Sequence, residues 1–212
     1  MPGPLFSSEL DLAGVAVALG ADTVGELTAP EAALAASAPK ADQATVSTVR
    51  DMIEARSDPL GDVFCGLRSP DARRPLGATY TPYEIVNAMM EWAEAQGAPD
   101  RVVDPGAGSA RFTIAAGHTF PKARLIAVEV DPLAALCARA NIAVSGLADR
   151  ADVVLDDFRA LPPQTDGRTL WLGNPPYVRH HQIAPDWKDW LGREASRRKL
   201  SASKLAGLHV HF

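Results

Sequence analysis

The sequence predicts an α/β fold: an open, mostly parallel sheet with helices on its faces, preceded by a small helical region. Three observations predict it. Short apolar, β-branched runs alternate with helical patterns between residues 100 and 175, the order that gives parallel strands joined by helical crossovers. The first three runs each close on an acid, at Asp104, Glu129 and Asp157. The first is followed by a glycine loop, Pro105-Gly106-Ala107-Gly108, and ligands of such sheets collect at the carboxyl ends of the strands.

The chain has 212 residues, 47% apolar and 22% charged, which suits a soluble protein able to bury a real core. Its net charge of −5 excludes a general polycation, but the sign is unevenly spread. Residues 1–60 hold nine acidic and three basic side chains, whereas residues 179–204 hold seven basic and three acidic. The second stretch is therefore the better suited to face phosphate, although a solvated helix face gives the same pattern. The two cysteines, Cys65 and Cys137, form neither a disulfide framework nor a zinc cage, so a reducing cytoplasm is expected. The apolar stretch 10–19 contains Gly14 and is about half the length of a membrane span, so no membrane partner is expected.

In chain order, Ser7 or Ser8 caps a helix through Leu10, Leu12, Val15 and Leu19, ended by Gly20. A second helix is expected over residues 44–56, with Val46, Val49, Met52 and Ile53 on one side. Between them, Pro30 and Pro39 leave room for one short helix and turns. Residues 1–60 carry no chemical motif and are expected to pack on a domain that occupies residues 61–212. Residues 57–80 read as a loop. Thr81-Pro82-Tyr83-Glu84 then reads as a helix start: Thr81 caps, Pro82 takes the first helical position and Glu84 completes a capping box. Ile85, Val86, Met89, Met90 and Ala93 follow at helical spacing until Gly97. The exposed N–H groups of such a start suit a carboxylate.

Arg101-Val102-Val103-Asp104 is the first strand. Gly106 and Gly108 permit a tight turn and close approach by a ligand, before a helix that begins near Ser109. The third glycine of a dinucleotide fingerprint is absent, because Arg111 stands in its place. A diphosphate ligand is thereby disfavoured. An acid closing the strand repels phosphate but accepts an ammonium, so the loop better fits a nucleoside with an amino-acid tail. The second strand runs through Val128 to Glu129, Val130 and Asp131, with Glu129 about 25 residues beyond Asp104, near the spacing at which such folds place an acid on ribose hydroxyls. Pro132 opens the next helix, with Leu133, Leu136, Ala140 and Ile142. The third strand spans residues 153–158. Asp157 there can accept from an adenine amino group, with Phe158 stacking nearby. Any one of these acids is compatible with a cap or a solvated loop; the three together are a rarer coincidence.

The fourth strand, Leu170-Trp171-Leu172-Gly173, stops at Asn174-Pro175-Pro176-Tyr177. Two prolines fix φ twice and remove two N–H donors, which makes a stiff turn at the strand's carboxyl end. Asn174 can offer its amide oxygen, and Pro175 or Pro176 its carbonyl, to the two hydrogens of a planar NH2 group, while Tyr177 lies against the ring or amide that carries it. Four-residue motifs also occur as plain loops. Beyond it, Trp187, Trp190 and Leu191 mark a short helix. Leu208-His209-Val210-His211-Phe212 ends the chain in mid-pattern, with both histidines on one strand face, and the natural protein is expected to continue. No third ligand stands at a metal-site spacing from any histidine pair, so no metal is expected.

Together these pieces resemble the class I S-adenosylmethionine-dependent methyltransferases, with their Rossmann-like sheet. More narrowly they are similar to the gamma-class DNA adenine-N6 methyltransferases of restriction-modification and phage-defence systems. Gly77-Ala78-Thr79-Tyr80-Thr81-Pro82 resembles that family's first cofactor motif. Asp104 to Phe112 resembles its glycine motif, Glu129-Val130-Asp131-Pro132 its ribose motif, Asp157-Phe158 its adenine motif and Asn174 to Tyr177 its catalytic tetrapeptide. The likeness covers roughly residues 60–180. It implies that S-adenosyl-L-methionine is the cofactor, with Thr79, Tyr80, Thr81 and Pro82 near the methionine carboxylate. Asp104, Pro105, Gly106, Ala107 and Gly108 would seat the methionine part, Glu129 and Val130 the ribose, and Asp157 and Phe158 the adenine. It implies a duplex DNA substrate whose adenine is flipped into the pocket, with Asn174, Pro175, Pro176 and Tyr177 catalytic, and a restriction or defence subunit as a partner.

This family also has a longer sheet and a target-recognition domain, both expected beyond Phe212. Two rival readings stay open. Release-factor glutamine N5-methyltransferases share Asn-Pro-Pro-Tyr, because a glutamine amide also presents a planar NH2; against them stand the Ala78-Thr79-Tyr80-Thr81-Pro82 segment and a loop reading Asp-Pro-Gly-Ala-Gly. The other is a non-catalytic cofactor- or DNA-binding module of a defence complex.

Overall fold

Four parallel strands form one sheet in the order β3-β2-β1-β4: β1 (Arg101–Pro105), β2 (Arg124–Glu129), β3 (Ala151–Leu155) and β4 (Thr169–Trp171). The structure is a computed structural model and describes residues 6–68, 81–162, 164–176 and 178–212. Thr79, Tyr80 and Tyr177, expected site residues, lie outside these. β1 is central, with Val103 opposite Ile126 of β2 and Trp171 of β4. The strand order reverses between β1 and β4, and in parallel sheets the crevice at such a switch point receives the ligand.

The described residues fall into two compact units. The first lies within Met1–Arg68 and Tyr80–Gly173 and contains the whole sheet. Its helices are α1 (Glu9–Ala18), α2 (Ala29–Ser37), α3 (Gln43–Glu54), α4 (Pro59–Leu67), α5 (Tyr83–Ala95), α6 (Arg111–Thr119) and α7 (Pro132–Val144). α7 is apolar nearly all round, with Leu133 to Ile142 buried without a break, as a helix must be when it is covered on both sides. Ala135, Ala138 and Ile142 join the core of the sheet, with Leu125, Ala127, Phe112 and Val86. Leu133, Leu136, Cys137 and Ala140 join a second core built by Leu12, Val15, Val49, Leu60 and Phe64. The alanine-rich N-terminal helices therefore cover the outer face of α7.

The helix ends follow local chemistry. Ser8 caps α1 by accepting from Asp11 N–H, and Asp42 caps α3 through Thr45 N–H. Gly20 takes φ +98° beyond the end of α1. α4 corrects the expected loop over residues 57–80: Pro59 sits in its first turn and Asp58 caps it through Gly61 N–H at 2.9 Å. α5 corrects the expected capping box. It begins at Tyr83 with Pro82 in the cap position and no side-chain cap bond there, because Pro82 takes ψ 146° and so stays outside the helix. α6 starts at Arg111 rather than near Ser109, since the left-handed loop runs on to Ala110.

A buried ion pair pins the N-terminal helices to the sheet. Arg139 Nε donates to Glu31 Oε1 at 2.7 Å and Nη2 to Val153 O at 2.9 Å, while Nη1 donates to Val24 O. Glu31 also accepts from Thr28 N–H at 2.8 Å, and both side chains are almost fully buried. Glu31→Ala leaves the guanidinium buried without its carboxylate, and is expected to cost about 3–5 kcal/mol of unfolding free energy. Urea denaturation reads this as a lower midpoint at an unchanged m-value.

The second unit lies within Ser69–Thr79 and Asn174–Phe212. Its helix α8 (Pro185–Arg197) is longer than the short helix expected and buries Leu191. Leu208 N–H donates to Val178 O at 2.9 Å, and Trp190 stacks on His211 with ring centres 5.9 Å apart. Leu208–His211 is a 3-10 turn, not the expected strand, so the two histidines do not share a strand face. No group of three metal-ligating side chains occurs among the described residues, and no helix among them is long and apolar enough to cross a membrane.

Candidate active site

The loop after β1 is built on left-handed backbone. Gly106 and Gly108 take φ +77° and +57°, which a side chain disfavours. The turn lets Gly106 and Ala107 both donate to Val128 O, at 2.8 and 2.9 Å. This folds the loop over the carboxyl end of β2 and presents Gly108 N–H to Glu129 Oε2 at 2.8 Å. Ala110 also takes a positive φ, +73°, fully buried against the sheet core.

Asp104 lies at the bottom of this loop, fully buried. Its Oδ2 accepts from Thr113 N–H at 3.0 Å and Thr113 Oγ1 at 2.7 Å. Its Oδ1 has no hydrogen-bond partner among the described residues. Burial pushes the carboxyl up to about 7, against the pull of the two Thr113 bonds and with a further push from Glu129. A Cβ on Gly173, the second residue past β4, would lie 3.0 Å from Asp104 Oδ1. The bare backbone of residue 173 thus lets β4 continue directly alongside this oxygen. A buried acceptor without a donor costs free energy, and an ammonium at the β1/β4 switch point would satisfy it. The amino-acid end of S-adenosylmethionine carries one, so the residues present fit that group.

Glu129 closes β2. Its Oε1 accepts from Val130 N–H at 2.8 Å and Asp131 N–H at 2.9 Å. Burial pushes its pKa up, and the backbone donors of Asp131, Gly108 and Val130 pull it back. The carboxylate is thereby held rigidly, with lone pairs left for further donors. Val130 is exposed beside it.

Beyond β3, Asp156 N–H donates to Glu129 O at 3.0 Å. Asp157 caps a 3-10 turn that begins at Phe158. Its Oδ1 accepts from Arg159 N–H at 3.0 Å and Arg159 Nε at 2.7 Å, and its Oδ2 accepts from Arg159 Nη2. The acid is therefore already paired, and Arg159 is a neighbour that the sequence reading did not include. At the start of α5, Thr81 is buried and its carbonyl accepts from Arg111 Nη1 at 3.1 Å, while Pro82 is exposed.

In the second unit, Asn174, Pro175 and Pro176 are half-buried and adopt no regular structure. Val178 N–H donates to Pro176 O at 3.3 Å, a turn that engages the carbonyl of the second proline. The structure thus gathers Asp104, the Gly106–Gly108 loop, Glu129 and the residues after β3 at one edge of the sheet. Sequence reasoning missed Thr113, Gly173, Arg159 and Asp58. Only Gly173 carried a readable signal, since a glycine closing an apolar strand often marks close backbone approach.

No model of a known protein family matches the chain. Among curated proteins it is 53% identical over 156 residues to the Type II methyltransferase M.XamI of Xanthomonas campestris pv. amaranthicola, covering 73% of this chain and 28% of that one. It is 33% identical over 99 residues to the tRNA1(Val) (adenine(37)-N6)-methyltransferase of Porphyromonas gingivalis, 45% of this chain and 39% of the relative. It is 38% identical over 105 residues to the release factor glutamine methyltransferase of Mycolicibacterium smegmatis, 47% and 36%. The chain spans about a quarter to two-fifths of the length of these relatives. Every relative named here is by name a methyltransferase, and this chain's own parallel sheet, with acids at its strand ends and a glycine loop after β1, is the Rossmann-like sheet of the class I S-adenosylmethionine-dependent methyltransferases.

Proposed function

We propose that the chain is the cofactor-binding and motif-bearing part of a DNA methyltransferase that transfers a methyl group from S-adenosylmethionine to N6 of a flipped-out adenine. The observation that carries this reading is Asn-Pro-Pro-Tyr following β4 in a chain 53% identical to a Type II methyltransferase. In this reading the chain serves a restriction or defence system in the cytoplasm, alongside a partner subunit of that system.

In this reading the cofactor supplies an electrophilic methyl group on sulfur. Asp104 Oδ1 receives its ammonium, the Pro105–Gly108 loop seats its methionine part, and the Thr79–Pro82 segment its carboxylate. Glu129, with Val130 beside it, receives the ribose hydroxyls, and Asp157 with Phe158 the adenine ring. Asn174 accepts one hydrogen of the target amino group through its amide oxygen. Pro176 O already accepts from Val178, which favours Pro175 O as the second acceptor. Both acceptors would raise electron density on the amino nitrogen and Tyr177 would stack on the base; the bound cofactor would supply the methyl group, the new N–C bond forming as the S–C bond breaks to leave the neutral thioether, and the proton lost from nitrogen passing to solvent. Alignment and carbonyl electrostatics from this chain's residues would then carry the catalysis.

Glu129→Ala removes the ribose acceptor and the acceptor of three backbone N–H groups. Cofactor affinity is expected to fall roughly tenfold to a hundredfold, read by calorimetric titration with S-adenosylhomocysteine.

The acceptor is tested by labelled-methyl transfer to genomic DNA and, in parallel, to a glutamine-bearing release-factor protein. Label recovered as N6-methyladenine supports the proposal. Label in the protein supports the glutamine reading instead. Cofactor binding without transfer to either, in the 212-residue chain and in any longer form, supports a non-catalytic module.

A further inference from the structure

Asp58 lies outside every motif that suggests the cofactor, yet it is 3% exposed and its carboxylate takes four donors. Oδ1 accepts from Gly61 N–H and from Asn141 Nδ2, each at 2.9 Å. Oδ2 accepts from Arg111 Nε at 2.7 Å and from Ser109 Oγ. Asn141 donates a second bond to Ser109 O at 2.9 Å. Arg111 extends the network, with Nη1 on Thr81 O at 3.1 Å and Nη2 on Asp62 Oδ1 at 2.6 Å, and its guanidinium sits 5.1 Å over the Tyr83 ring.

A helix cap needs only the Gly61 bond. The other three donors come from the far end of the glycine loop, the first residue of α6 and the C-terminal third of α7. Through Arg111 the same carboxylate reaches the carbonyl of Thr81. The two segments assigned to the methionine part of the cofactor, the glycine loop and the start of α5, are thus tied to one buried charge supplied by the N-terminal helices. The loop itself is left-handed at Gly106, Gly108 and Ala110, a backbone that persists when its surroundings over-determine it.

We infer that Asp58 is a positioning residue for the cofactor: it holds the glycine loop and the Thr81 segment in binding geometry without touching the ligand, and so makes the N-terminal helices part of the cofactor site. This rests on the S-adenosylmethionine reading of that site.

The test is calorimetric titration of S-adenosylhomocysteine into the wild-type chain, Asp58→Asn and Glu31→Gln, at a temperature where circular dichroism shows all three folded. Glu31→Gln weakens the other anchor of the N-terminal helices, the Arg139 pair, and serves as a stability control. Asp58→Asn is expected to weaken binding roughly tenfold or more, the loss of charged hydrogen bonds that fix the loop, while Glu31→Gln binds as the wild type does. Equal affinity in Asp58→Asn and the wild type overturns the inference alone. No binding by the wild type overturns the cofactor reading and the inference with it. Where Asp58→Asn does not fold, Arg111→Gln cuts the same link from its other side, and the same tenfold loss or its absence decides.

Discussion

Asp104→Asn is expected to stabilise the ligand-free chain at pH 8 while removing most of its cofactor affinity. The carboxyl is fully buried, one oxygen lacks a donor among the described residues, and its pKa is raised from 3.8 to about 7. A raised carboxyl has its sign opposite to that of a salt-bridged aspartate. Between about pH 4 and pH 7 the folded chain holds a proton that the unfolded chain has lost, so stability falls as pH rises through this window and levels off above it. The shift corresponds to roughly 4 kcal/mol as an upper bound. Thermal melts at pH 5 and pH 8 should show the wild type losing stability with rising pH and the asparagine variant losing much less. A variant that melts below the wild type at pH 8 would contradict the assignment. Cofactor binding should carry the complementary signature. An ammonium on Oδ1 favours the ionised carboxyl, so binding expels the proton, and apparent affinity should decline about tenfold per pH unit below pH 7.

The second large effect is at Asn174. In the proposed mechanism, replacing its carboxamide by a methyl group removes one of the two acceptors proposed for the target amino hydrogens and leaves Asp104, Glu129 and the glycine loop intact. Asn174→Ala is expected to lower the rate of methyl transfer by roughly 10²–10³ or more, with cofactor affinity within about twofold of wild type. Loss of transition-state stabilisation without loss of ground-state binding is the mark of a group that acts on the reacting nitrogen.

These two residues were among the most legible in the sequence, and the reason is local. Asp104, Glu129 and Asp157 each follow a short apolar run, and strand periodicity places such residues at the carboxyl edge of a parallel sheet. Gly106 and Gly108 were readable because only a turn needs them, and their positive φ angles agree with that reading. What was not legible depends on partners distant in sequence. Glu31 and Arg139 are 108 residues apart, and Asp58 and Asn141 are 83 apart. No periodicity links such pairs before the chain has folded. α4 was hidden for a different reason: Pro59 reads as a chain break, yet proline is at home in the first turn of a helix that an aspartate caps. The Arg159–Asp157 pair is local, but a basic residue two positions from an acid is too common a pattern to single out. His209 and His211 alternate as strand residues do, while the preceding Gly207 and the bond from Leu208 N–H to Val178 O go with a tight 3-10 turn.

The most direct test of the central claim is a single-turnover transfer of labelled methyl from saturating S-adenosylmethionine to duplex DNA, with digestion to nucleosides, for the wild type and Asn174→Ala side by side, each in the 212-residue chain and in any longer form. The account predicts label in N6-methyladenine with the wild type and its near-absence with Asn174→Ala at equal cofactor occupancy. Wild-type turnover by Asn174→Ala, or label in any nucleoside position other than adenine N6, would contradict it.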